Sequence, residues 1–117
     1  MGKLTTHVLD TANGKPGTNI VISLYQRTDS GSTLIKSTTT NHDGRTDEPL
    51  LEGQALTAGK YELVFETAQY FTAIGVEVDD IPFLDDVVIR FGINNTEQHY
   101  HVPLLVSPYS FSTYRGS

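Results

Sequence analysis

Residues 60–67 read KYELVFET, and residues 19–27 read NIVISLYQR. In the first stretch Tyr61, Leu63 and Phe65 alternate with Glu62, Val64 and Glu66. In the second, Ile20, Ile22 and Leu24 alternate with Val21, Ser23 and Tyr25. A period of two with one apolar face marks a half-buried strand. Outward from these two, Leu4 to Leu9, Thr33 to Thr40, Val87 to Ile93, His99 to Ser107 and Tyr109 to Tyr114 are further runs rich in β-branched and aromatic residues. Turn signals separate them: Asn13-Gly14-Lys15-Pro16-Gly17, Asp29-Ser30-Gly31-Ser32, Asn41-His42-Asp43-Gly44 and Asn94-Asn95. Pro103 inside the His99 run requires an edge, a bulge or a side where no partner needs its amide. Ala68 to Ile74 is the one helical stretch, about two turns ended by Gly75. Thr46 to Ala58 reads as irregular, and Val76 to Asp86 as a solvated acidic connection. The expected fold is all-β: one domain, an antiparallel β-sandwich of seven to eight strands with one short helix.

Composition bounds the function. The 117 residues suffice for one ordinary domain. No stretch approaches the roughly 18 apolar residues of a membrane-spanning helix. Without cysteine there is no disulfide framework, no zinc finger and no thiol nucleophile. The net charge is −6 and the basic residues are scattered, which argues against nucleic acid as a partner. The amino terminus shows no apolar leader core, so a cytoplasmic location is expected.

Four histidines and one arginine are the candidates for chemistry. His7 lies in a strand, where a histidine bonded to backbone is the plain expectation. His42 is a loop residue. His99 and His101 are two apart in a strand, so both rings project from one face. Three readings stay open for that pair: metal ligands, a general base with its support, or surface residues. A zinc site would need a third ligand, which His7 or a carboxylate would supply. Arg45 either pairs with Asp47 and Glu48 or clamps an anion or developing oxyanion with its planar fork. The closing Tyr114-Arg115-Gly116-Ser117 continues an aromatic β-rich run with no flexible spacer, so an ordered tail is expected. Gly116 is expected to serve backbone shape there, since glycine tolerates all φ values.

Three segments together carry a family resemblance: Thr6-His7-Val8-Leu9-Asp10 with Gly14-Lys15-Pro16; Asp43-Gly44-Arg45; and His99-Tyr100-His101-Val102-Pro103-Leu104-Leu105 running through Ser107-Pro108-Tyr109 to Tyr114-Arg115-Gly116-Ser117. From about Leu4 onward the chain resembles the transthyretin-like 5-hydroxyisourate hydrolase family. The resemblance implies a transthyretin-like (prealbumin-like) sandwich that forms homotetramers with active sites at the subunit interfaces. It implies ring opening of 5-hydroxyisourate in urate degradation, with no cofactor and no metal. Carried over by motif, His7, Arg45, His101 and Ser117 would be catalytic. Tyr114, Arg115 and Gly116, with His7 and Arg45, would bind substrate, and His99 would support them. Which histidine is the base stays open. Transthyretin itself, a hormone carrier, shares the fold and the Ser-Pro-Tyr stretch without these histidines or this tail. A carrier of small aromatic ligands is therefore the alternative, and a three-histidine zinc hydrolase a third reading.

Overall fold

A computed structural model describes residues 1–116. Nine strands, β1 (Lys3–Asp10), β2 (Lys15–Pro16), β3 (Val21–Thr28), β4 (Gly31–Thr39), β5 (Leu51–Glu52), β6 (Gly59–Phe65), β7 (Val87–Ile93), β8 (Tyr100–Val106) and β9 (Phe111–Thr113), accompany one helix, α1 (Thr67–Ala73). One sheet has the order β2-β1-β8-β9, with β5 also paired to β1; the other has the order β4-β3-β6-β7. The expected sandwich is present. Its seven longer runs match the patterned stretches to within a few residues, and the two-residue β2 and β5 are the additions. One pairing departs from the antiparallel expectation: β1 and β8 run parallel, with Leu4 opposite Tyr100 and Asp10 opposite Val106.

The period-two patterns point inward as read. Leu4 and Val8 of β1, Ile22 and Leu24 of β3, Leu63 and Phe65 of β6, and Leu104 and Val106 of β8 are fully buried between the sheets. Each such side chain contributes roughly 1.5–3 kcal/mol of hydrophobic stabilisation. The outward residues of β1 are then Lys3, Thr5, His7 and Leu9, so the candidate His7 lies on this outer face.

The segment expected to be irregular, Thr46 to Ala58, is partly ordered by the core. Leu50, Leu51 and Leu56 are buried, Leu50 donates its amide to the Leu4 carbonyl, and β5 adds to β1. Apolar residues without periodicity gave no local sign of this.

Helix α1 ends as glycine dictates. Gly75 takes φ +84°, its amide reaches the Thr72 carbonyl, and the Val76 amide reaches that of Phe71, the paired bonds of a Schellman stop. On the inner side, Tyr70 of α1 donates its hydroxyl to Oδ2 of the buried Asp10 at 2.7 Å, which fastens the helix to the end of β1.

Pro103 is not on an edge strand. β8 lies between β1 and β9, and β9 stops pairing at Thr113 opposite Leu104. Contact resumes in the same register at His101 opposite Gly116. Pro103 therefore stands opposite Tyr114, where its missing amide proton leaves the ladder open.

Candidate active site

Adjacent strands and one turn bring three of the sequence candidates together. His7 on β1 and His101 on β8 share the outer face of the first sheet. Thr5 is the register partner of His101, and His7 that of Pro103, so the two histidines sit one pleat apart on neighbouring strands. Arg45 joins them through an antiparallel bridge to His7.

The turn that delivers Arg45 is built by Asn41. Its Oδ1 accepts the amides of Asp43 and Arg45 at 2.9 and 3.2 Å, and its main chain exchanges bonds with Gly44 and Arg45. Gly44 has φ +74° and lies so close to the Val8 carbonyl that a β-carbon would collide with it. Only glycine fits this position, so the Gly-Arg pair is a geometric requirement. Sequence reading saw the turn here but not the role of Asn41, whose side chain competes for backbone donors as asparagine does in turns.

Electrostatics favour neutral imidazoles. Burial and the Arg45 charge hold His7 below the usual histidine range, against an opposing hydrogen bond to the Asp43 main chain and the Asp43 charge. Burial, Arg45 and His7 do the same to His101, against a hydrogen bond to the Thr5 main chain. Near neutral pH both rings are bases. Arg45 is exposed and, among the described residues, forms no ion pair with Asp47, Glu48 or any other carboxylate. With Thr5, Asp47 and Glu48 it lines a shallow depression of about 180 Å³.

The other candidates lie around this centre. Gly116 donates its amide to the His101 carbonyl at 2.7 Å. Tyr114 is exposed beside the open stretch of ladder. Arg115, expected to bind substrate, turns its guanidinium elsewhere: it lies 4.1 Å above the Tyr100 ring and bonds to Gln98 Oε1 and the His99 carbonyl. Tyr100 in turn accepts the amides of Asn94 and Asn95 on its hydroxyl. This anchors the tail to the 94–98 turn. A cleft of about 240 Å³ lined by Ile89, Phe91, Tyr100, Val102 and Arg115 opens there and contains no histidine. His99 takes the Lys3 amide on Nδ1 at 3.2 Å. His42 is an exposed loop residue beside Asp43. Among the described residues, no three His, Asp or Glu side chains are grouped to hold a metal ion. Ser117 lies outside the described residues.

The model of the HIUase/Transthyretin family matches residues 4–116. The chain belongs to that family. Within the HIUase/Transthyretin family it is 56% identical over 117 residues to the 5-hydroxyisourate hydrolase of Pseudomonas aeruginosa, covering all of this chain and 93% of the relative. Solved structures of both branches superpose on it. The Klebsiella pneumoniae 5-hydroxyisourate hydrolase does so with TM-score 0.81 at 32% identity, over 100% of both chains. Sea bream transthyretin in complex with thyroxine does so with TM-score 0.86 at 28% identity, over 97% of this chain and 94% of that one. The fold therefore does not separate enzyme from carrier, while sequence identity along the whole chain favours the enzyme.

Proposed function

We propose that the chain is a 5-hydroxyisourate hydrolase that opens the six-membered ring of 5-hydroxyisourate to 2-oxo-4-hydroxy-4-carboxy-5-ureidoimidazoline. The carrying observation is the convergence on one sheet face of two imidazoles with lowered proton affinity and a guanidinium that has no ion pair among the described residues. Water attacks a ring amide carbonyl, and one imidazole, His7 or His101, takes its proton. The new C–O bond replaces the ring C–N bond, and the proton passes to the leaving nitrogen. Arg45 holds the substrate edge and stabilises the charge that develops on the carbonyl oxygen. Burial first and the same guanidinium second hold both histidines unprotonated, so Arg45 serves binding and helps set the charge state of the base. Tyr114 and Ser117 offer hydroxyls, Gly116 offers main chain, and Arg115 acts by anchoring the tail rather than by touching substrate. No cofactor enters these steps.

The active unit in this reading is a homotetramer whose subunits meet over the outer face of the β1–β8 sheet. Support comes from the edges that β7 and β9 leave open among the described residues and from exposed apolar groups on or beside that face, Leu9 of β1 and Tyr114 next to β8. No helix among the described residues is long and apolar enough to cross a membrane.

The test follows the ultraviolet decay of freshly generated 5-hydroxyisourate with and without protein, and again after chelation, alongside sedimentation. Faster decay that survives the chelator fits the hydrolase. Binding without acceleration fits a carrier, and chelator-sensitive decay fits a zinc enzyme.

A further inference from the structure

Thr5 stands two residues before His7 on the outer face of β1 and opposite His101 on β8. Its Oγ1 lies 2.8 Å from Nδ1 of His101 in a partly buried hydrogen bond, and among the described residues this hydroxyl has no other partner. On the opposite side, the Gly116 main chain packs against Cδ2 of the same ring. His101 is thus held at one edge by Thr5 and over its carbons by Gly116. His7 has no comparable hydroxyl; its ring bonds to the main chain of Asp43.

What a neutral imidazole can do depends on which nitrogen carries its proton, and the hydrogen bond at the other nitrogen decides that. A threonine hydroxyl can donate to a ring nitrogen or accept from it, and either bond ties the ring to one tautomer. We infer that Thr5 is a positioning residue for the hydrolysis: its hydroxyl on Nδ1 fixes the orientation and the tautomer of His101, and so which ring nitrogen presents its lone pair to the site. The inference rests on the hydrolase reading for its catalytic consequence, while the hold on the ring is independent of any substrate. Thr5 acts through His101.

Thr5→Val keeps the branched shape and removes the hydroxyl, and Thr5→Ser keeps the hydroxyl. Thr5→Val lowers kcat about ten- to hundred-fold, part of the roughly 10²–10⁴ that a positioned general base supplies, with KM changed less than about twofold and the acid limb of the pH profile displaced. Thr5→Ser restores kcat to within about threefold of the parent. In parallel, the nitrogen chemical shifts of imidazole-labelled protein report the His101 tautomer: the same tautomer in the parent and in Thr5→Ser, and a changed ratio of Nδ1–H to Nε2–H in Thr5→Val. Parent-like kcat in Thr5→Val, or an unchanged tautomer in the same variant, overturns the inference. If the parent itself does not consume 5-hydroxyisourate, the substrate assignment and the catalytic role fall together, and the tautomer comparison still decides whether Thr5 holds the ring.

Discussion

The main chain of Gly116 packs against the imidazole of His101 so closely that a β-carbon there would stand 2.6 Å from Cδ2. The glycine is required by this contact and not by backbone freedom, since Gly116 is not among the positive-φ residues. The tail up to Gly116 and the face that carries His101 are therefore one packed unit.

Gly116→Ala is expected to displace either the ring or the tail. A misplacement of about 1 Å can cost 10²-fold in rate, so activity should drop by about that much while the melting temperature changes little. Substrate-decay kinetics and a thermal melt on the same sample check both parts.

The pH response follows from the lowered histidines. Both rings are unprotonated above their ordinary value of 6.5, so activity should be level there and fall as the pH drops through the lowered values. Because the folded rings bind protons more weakly than the unfolded ones, stability is complete above 6.5 and declines below it, until the folded rings are protonated too. Arg45→Lys keeps the charge and should leave the acid limb in place while lowering kcat, since lysine has no fork. Arg45→Gln should also move the limb to higher pH. An unmoved limb in the glutamine variant would show that Arg45 does not set the histidine charge.

At the far end of β1, burial by itself pushes the Asp10 carboxyl up, yet bonds from Asn13, Tyr70 and Ala12 outweigh it and hold the group below the usual range. Burial and that carboxylate push the Tyr70 hydroxyl up in turn. Tyr70→Phe removes a hydrogen bond to a charged group, worth about 1.5–3 kcal/mol. Denaturant unfolding should show a loss of that size, with kcat unaltered because the clamp faces the core. The Asp10 contribution is present above the unfolded value of 3.8 and disappears as pH falls through the depressed one.

Activity should also survive prolonged chelation. His99 has Nδ1 engaged by the Lys3 amide, which leaves His7 and His101 without a third imidazole arranged for a cation. Stoichiometric zinc by elemental analysis, with activity lost on its removal and regained on its return, would reverse this.

Much of the site was legible because its motifs are short. Asp43-Gly44-Arg45 is a turn that needs its glycine, and the tail ends in consecutive residues. The surroundings of Arg115 were not legible in the same way. Its guanidinium is claimed by Tyr100, Gln98 and the His99 carbonyl, contacts that span a chain reversal and leave no trace in spacing. Thr5 went unremarked because a threonine in a strand is ordinary until its neighbour is known.

The sequence by itself determined the strands, their inward faces, the stop of α1 at Gly75 and the glycine turn before Arg45. Each of these is a relation among consecutive residues, set by the two-residue pleat or by what one residue's backbone can adopt. Tertiary structure alone decided that β1 lies parallel to β8, which brings Thr5 onto His101 across 96 positions. Pairing of that kind is a competition among whole strands for partners, so no local pattern encodes it, and with it the tertiary fold decided which side chain orients His101.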